Sequence, residues 1–271
     1  MISMLLVIKM GGSILKEGAS NDLICDLKAV LAENQVVLVH GGGAEVTEIA
    51  SKLGKPQQFI MSPEGFRSRY TDKETIEIYT MVMAGKINKQ IVLALESQGI
   101  PAVGLSGLDA GILQAERKTR LIAVDEKGRK RVMDGGYTGK IKTVNTDLLK
   151  LLVSKGYVPI VTPIALSSEF EPLNVDGDRT AANVAAALKA DKLILLTDVA
   201  GLMLKGEHIP KLSTTEVKEV LGSIGGGMST KVQAGVDAIN GGVKEVLITA
   251  GTGKNPISSA LKHETGTVIT Q

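Results

Sequence analysis

Short runs of Val, Ile and Leu alternate along this chain with stretches whose apolar residues recur every three or four positions. MLLVIKM (residues 4–10) and QVVLVH (35–40) read as strands. NDLICDLKAVLAE (21–33) and AEVTEIASKLG (44–54) read as helices, the second stopped by a glycine. The same alternation returns later. YVPIVTP (157–163), DKLILLTD (191–198) and KEVLITA (244–250) are strand-like. DRTAANVAAALKA (178–190), TTEVKEVLG (214–222) and STKVQAGVDAINGG (229–242) are helix-like. Continuously apolar strands separated by helices predict a mainly parallel sheet covered on both faces, a three-layer α/β/α sandwich. Residues 111–141 break the rhythm. β-rich runs interrupted by EKGR and DGG fit hairpins there. The expected division is an N-terminal half, 1–165, and a C-terminal half, 166–271, of one domain on one continuous sheet.

Glycine-rich turns follow three predicted strands: VIKMGGS, LVHGGGAE and VGLSGLD. At the C-terminal ends of parallel strands such turns let backbone N–H groups approach an anion, and a following helix N-terminus adds partial positive charge. A phosphate or carboxylate ligand is expected. Neither GxxxxGK[ST] nor a GxGxxG after the first strand is present, which disfavours a P-loop NTPase and a dinucleotide-dependent dehydrogenase. Lys9 ends a strand that enters a buried sheet, where a lysine rarely stands without a partner. Lys231 follows Gly225–Gly227 and is either an exposed helical lysine or a cation behind a phosphate cradle. Asp178 precedes an alanine-rich helix and is either its N-cap or a carboxylate that holds the two lysines. Two lysines, a carboxylate and glycine N–H donors suit phosphoryl transfer, where charge spreads over oxygens and positioned cations do most of the catalysis.

Composition narrows this further. The 271 residues are 44% hydrophobic and 22% charged, enough for a packed core, and the net charge is +2. Aromatic residues are 3% with no Trp, which argues against base-stacking and a nucleic-acid partner. One cysteine, Cys25, and three scattered histidines argue against a disulfide framework or a transition-metal site. No apolar run approaches 18 residues, so no membrane association is expected, and the expected location is the cytoplasm.

KMGGS, VHGGGAEV, RYTD, LNVDGDRTAANVAAAL, LLTDVAGL and GGGMSTKVQAG stand in the order found in the amino acid kinase family, and the chain most resembles its acetylglutamate kinase branch. The resemblance covers nearly the whole chain. It implies an acceptor-binding, dimer-forming N-terminal half and an ATP-binding C-terminal half, with ATP and Mg²⁺ required. By motif, Lys9 and Lys231 resemble the pair that stabilises the transferring phosphoryl group, and Asp178 the aspartate that orients both. Gly11, Gly12 and Gly41 resemble phosphate-binding positions. Gly42, Gly43, Arg69 and Asn174 resemble the acceptor site. Thr197, Asp198, Gly201, Gly226, Gly227 and Met228 resemble the nucleotide segment. SRYTD departs from the usual acetylglutamate kinase pattern. It is similar to kinases acting on α-aminoadipate or glutamate held on a small acidic amino-group carrier protein, LysW. The implied product is an acyl phosphate in lysine or arginine biosynthesis, with a homodimer as the assembly. The alternatives are a kinase of free N-acetylglutamate and a non-catalytic nucleotide- or amino-acid-binding regulator.

One local feature agrees. Between Glu116 and Val132 seven basic residues, Arg117, Lys118, Arg120, Lys127, Arg129, Lys130 and Arg131, face three acidic ones, a local excess of +4. With Arg67 and Lys73 they form a candidate docking patch for an acidic carrier. The bland reading is a solvated hairpin.

Overall fold

The computed structural model describes residues 3–15, 20–63, 65–124 and 128–271. Eight strands form its central sheet. They are β1 (Leu5–Met10), β2 (Gln35–His40), β3 (Ala102–Ser106), β4 (Val158–Thr162), β5 (Lys192–Thr197), β6 (Lys211–Ser213), β7 (Glu245–Ala250) and β8 (Thr267–Thr270). The spatial order is β6-β8-β7-β5-β1-β2-β4-β3. All neighbours run parallel except β7 and β8. Strands from both halves of the chain share this sheet, with β1 and β2 beside β5 at its centre.

The helices are α1 (Asn21–Leu31), α2 (Gly43–Lys52), α3 (Lys73–Thr80), α4 (Asn88–Glu96), α5 (Asp147–Ser154), α6 (Gly177–Leu188), α7 (Thr214–Val220), α8 (Gly226–Asn240) and α9 (Pro256–Leu261). A seven-residue π-helical segment, Met81–Ile87, joins α3 to α4. The pleat sends alternate residues to opposite faces. Val7, Val37, Val39, Leu193 and Leu195 pack under α5, α6 and α8. Leu6, Ile8, Met10, Leu38 and Leu196 pack under α1 to α4 and α9. This is the expected α/β/α sandwich. The pleat also sets the chemistry: Lys9 shares the face of Val7, so it emerges beneath α6 and α8. His40 shares the opposite face, beneath α4.

The hairpin region is two-tiered. Leu113–Arg117 pairs antiparallel with Gly139–Val144, and beyond them Arg120–Val124 pairs with Lys130–Asp134. Asp125, Glu126 and Lys127 of the basic stretch lie outside the described residues.

Two sequence expectations change, and the choice left open for Asp178 is settled. The helix expected from Ser229 begins at Gly226, so Gly226 and Gly227 form its first turn rather than a loop. The N-cap of α6 is Asp176, whose Oδ1 accepts the Arg179 amide at 2.9 Å, and Asp178 lies inside the first turn. The third glycine turn is a packing device. A Cβ on Gly107 would lie 2.2 Å from the Ile164 carbonyl, and the Gly107 amide donates to Thr162 O. β3 is also the sheet's edge, three strands from β1.

Candidate active site

Lys9, Asp178 and Lys231 meet above the C-terminal end of β1. Lys9 Nζ lies 2.8 Å from Asp178 Oδ1, an ionic contact whose angle falls short of a hydrogen bond. Lys231 Nζ donates to Oδ2 at 3.1 Å. Lys9 is 6% exposed and Asp178 5%. Burying another aliphatic side chain at position 9 would contribute roughly 1.5–3 kcal/mol, so a lysine there costs stability that only its partner offsets. Burial alone would raise the Asp178 carboxyl. Lys9 and Lys231 outweigh it and hold the carboxyl below its ordinary value. One carboxylate thus serves two ammonium groups, and the trio carries a net +1. That excess suits an anion.

Glycine turns form the adjoining wall. A Cβ on Gly12 would sit 2.8 Å from the Gly42 nitrogen, so the two turns touch backbone to backbone. The Gly11 and Gly41 amides donate to the carbonyls of Leu196 and Met10, which leaves them unavailable to an anion. The Gly12 and Gly42 amides have no acceptor among the described residues, and Gly43 opens α2, where the first-turn amides have no intrahelical partner.

Under this wall lies a group that the sequence did not reveal. His40, Asn88 and Thr162 are fully buried and hydrogen-bonded to one another. Burial pushes the His40 imidazole down to about 4, against the Gly41 bond that favours its charged form, and nearby Lys9 adds to the fall. The folded value lies below the unfolded one of about 6.5, so the unfolded chain takes the proton first. Stability is therefore full above about pH 6.5 and falls as the pH drops, by about 3 kcal/mol near pH 4. Urea titrations across this window are expected to show that decline in the wild type and a flatter profile in His40→Asn. Equal slopes in both would remove His40 as the cause.

Beside α2, Arg69 is 8% exposed and its guanidinium hydrogen-bonds to neutral groups. It donates to the Gly43 carbonyl at 2.7 Å, to Thr47 Oγ1 at 2.9 Å and to Gln57 Oε1. Burial pulls its pKa down, yet a guanidinium remains charged. No carboxylate among the described residues pairs with it. A buried cation in this state is an open site for an incoming carboxylate. Asn174 Nδ2 donates to Thr71 Oγ1 at 3.0 Å, which ties the RYTD segment to the one carrying Asp178. Thr71, fully buried, is a second group that sequence reading passed over.

On the other side of β1, Thr197 ends β5 and its hydroxyl donates to Asp198 at 3.1 Å. Crowding accounts for Gly201, where a Cβ would lie 2.6 Å from His208 Nε2. Gly226 and Gly227 are different: a Cβ at either meets nothing within 4 Å. The first turn of α8, followed by the half-buried Met228, is open, with Lys231 one turn behind it.

The basic hairpin divides. Arg117 bonds to the Gly136 carbonyl at 2.6 Å and to Glu171 at 3.2 Å, and it stacks on Tyr137, so it braces the hairpin's base. Lys118 and Asp176 reach solvent yet are walled in by protein, as cleft-lining groups are. Burial lowers the Lys118 ammonium, with Arg179 and Lys140 adding to it, and burial raises the Asp176 carboxyl, with Asp178 adding. Lys118, Lys140 and Arg179 thus stand as neighbouring cations beside Asp176. Arg120, Arg129, Lys130 and Arg131 are exposed on the outer hairpin. A groove of about 500 Å³ between that hairpin and Phe59–Arg69 is lined by Phe59, Arg67, Val124, Arg131 and Met133, and Arg67 stacks 3.8 Å above the Phe59 ring.

No helix among the described residues is long and apolar enough to cross a membrane. The model of the amino acid kinase family matches residues 4–250. The [LysW]-aminoadipate/[LysW]-glutamate kinase of Metallosphaera sedula is 45% identical, over 95% of this chain and 97% of its own. That of Saccharolobus solfataricus is 43% identical, over 98% and 99%. A solved structure of an N-acetylglutamate synthase from Neisseria gonorrhoeae aligns with TM-score 0.81 at 24% identity, over all of this chain and 60% of that one, which shows the shared fold. With the sandwich, the paired lysines and nearly full-length relatives all in agreement, the chain belongs to the amino acid kinase family.

Proposed function

We propose that this protein transfers the γ-phosphoryl group of ATP to the side-chain carboxylate of α-aminoadipate or glutamate whose amino group is carried by a small acidic protein of the LysW kind. The product is an acyl phosphate for lysine or arginine biosynthesis. The observation that carries this reading is the buried Lys9–Asp178–Lys231 trio, set between glycine amides and an arginine that, among the described residues, have no acceptor and no carboxylate respectively. A carboxylate oxygen attacks the γ-phosphorus as the bond to the bridging oxygen of ADP breaks. No proton moves, because the acceptor is already ionised at pH 7. Lys9 and Lys231 stabilise the charge on the equatorial oxygens, and the Gly12 and Gly42 amides receive those oxygens. The open first turn of α8 and Thr197, Asp198 and Gly201 would receive the nucleotide. Mg²⁺ bound with ATP neutralises phosphate charge. No cluster of three ligating side chains stands among the described residues, so the phosphates would supply most of its ligands.

Relatives named as kinases of carrier-linked substrates favour this over free acetylglutamate. A hydroxamate assay separates the readings, with carrier-linked aminoadipate, carrier-linked glutamate and N-acetylglutamate offered in parallel. Turnover only with acetylglutamate would overturn the carrier reading, and no turnover with any acceptor would favour the regulator.

Arg69 would grip the acceptor's α-carboxylate. Arg69→Lys keeps the charge and loses the two-pronged geometry. With charged hydrogen bonds worth about 1.5–3 kcal/mol, acceptor KM should rise about 10–10²-fold while KM for ATP holds. A matching rise for ATP would move Arg69 out of the acceptor site. The carrier would dock on Arg67, Arg120, Arg129, Lys130 and Arg131 beside the groove, with Lys118 beside Asp176. Of the expected docking set, Arg117 is held by Glu171 and drops to a bracing role. Residues 1–165 would bind the acceptor and 166–271 the nucleotide. The exposed Met81 and Leu93 along the π segment and α4 support a dimer contact in the first half.

A further inference from the structure

Nothing in the phosphoryl-transfer chemistry itself uses His40, yet the chain buries it completely at the root of the glycine wall. Its partners fix its state. Asn88 Nδ2 donates to the Ile160 carbonyl at 3.0 Å and to Thr162 Oγ1 at 3.1 Å, which orients the Asn88 amide and makes Thr162 an acceptor from it. The Thr162 hydroxyl proton is then free to go to His40 Nε2, 2.8 Å away. Asn88 Nδ2 also faces Nε2, at 3.3 Å. With both Asn88 amide protons used on Ile160 and Thr162, the Thr162 hydroxyl is the donor to Nε2, so Nε2 is the acceptor and the ring proton sits on Nδ1. That Nδ1–H points at the Gly41 carbonyl, 3.0 Å away.

A trans peptide holds its C=O and N–H in opposite directions. Drawing the Gly41 carbonyl down to His40 therefore turns the Gly42 N–H up and away from the core. Two further features act on the same amide. Gly12 lacks the Cβ that would cover the Gly42 nitrogen from 2.8 Å. From the far side the π segment clamps the loop: a Cβ on Gly42 would strike Ile87 Cδ1 at 2.2 Å and Met83 Sδ at 2.9 Å. The same π segment ends at Ile87 and hands the chain to Asn88. π insertions re-aim the residues that follow them and gather at functional sites.

We infer that His40 is a positioning residue: through its Nδ1–H bond to the Gly41 carbonyl it aims the Gly42 N–H at the transferring phosphoryl group, with Asn88 and Thr162 locking the tautomer. The inference rests on the phosphoryl-transfer reading for its consequence in rate and on geometry alone for the tautomer.

Two variants and one spectrum test it. Asn places its amide nitrogen close to imidazole Nδ1, and Gln places its own close to Nε2. His40→Asn is expected to keep kcat within about 3-fold. His40→Gln should lose about 10–10²-fold in kcat, less than outright deletion of an oxyanion donor, with KM for ATP and acceptor little changed. Both should lose thermal stability to a similar degree, so a merely structural role would lower both rates together, and that result would overturn the inference. Imidazole ¹⁵N shifts of the unliganded wild type should show the Nδ1–H tautomer. An Nε2–H ring would also overturn it, because Nδ1 would then repel the carbonyl. If the wild type phosphorylates no acceptor, the functional reading fails, while the ¹⁵N spectrum still decides the aiming of the loop.

Discussion

Lys231→Ala is expected to lower kcat by about 10²–10³-fold while the protein remains folded. The magnitude follows from removing one preorganised charge from a site where charge develops, worth about 2.7–4 kcal/mol. Lys9→Ala should lose as much, since each ammonium touches a different oxygen of Asp178 and the two flank the space above β1. Their costs in stability should differ. Lys9 is buried in the sheet, whereas the Lys231 side chain is 16% exposed on α8. Losing Lys231 leaves Asp178 still paired with Lys9, so the buried charge is not stranded and unfolding free energy should change by about 1 kcal/mol or less. Lys231→Arg restores charge but not the compact point charge on a flexible stem, so partial rescue at most is expected. Steady-state kinetics with a urea melt of each variant settles it. An unchanged kcat in folded Lys231→Ala would remove Lys231 from the chemistry.

The strands, the helices and the three members of the lysine–aspartate–lysine trio were legible because each rests on local pattern. A lysine ending an apolar strand, a glycine turn after it and a carboxylate opening an alanine-rich helix all announce themselves within a few residues. What was hidden is what the pleat and the turns decide. A strand apolar at every position carries no alternation, so nothing in MLLVIKM says whether Lys9 faces α6 and α8 or the opposite layer. Asp176 and Asp178 stand two apart, and either type of residue caps a helix. Only the helix start at Gly177 assigns one to the cap and the other to the lysines. Gly11 and Gly12 look alike in sequence, yet one amide is spent on Leu196 and the other is open. His40, Asn88 and Thr162 are up to 122 residues apart, and each alone reads as an ordinary strand or helix polar residue. The charge count of the hairpin treated its basic residues as equal, and Glu171, far along the chain, withdrew Arg117.

Asp178→Ala should be the most damaging single change, for a reason that differs from loss of a catalytic group. It strands two ammonium groups of low exposure with no counterion, and removing one partner from a buried ion pair costs about 3–5 kcal/mol. Asp178→Asn keeps shape and some hydrogen bonding, so it should fall less in stability but still lose the charge that aligns both lysines. Acid should mimic the substitution only weakly. The Asp178 carboxyl is held below its ordinary value, so its contribution is complete above the unfolded value of about 3.9 and disappears only as the pH falls through the lower folded one. Wild type and Asp178→Asn should therefore differ in stability at neutral pH and converge well below pH 4. A more decisive comparison replaces the whole trio with apolar residues of similar volume, Lys9→Met, Asp178→Leu and Lys231→Met together. Buried ionic groups exchanged for packed hydrophobic ones often leave stability unchanged or raise it by about 1–4 kcal/mol. The triple variant is thus expected to melt at or above the wild-type temperature and to transfer no phosphoryl group. If it instead unfolds as readily as Asp178→Ala, the trio holds the fold together. If it is stable and inactive, the chain keeps three buried charges at a cost in stability that only catalysis explains.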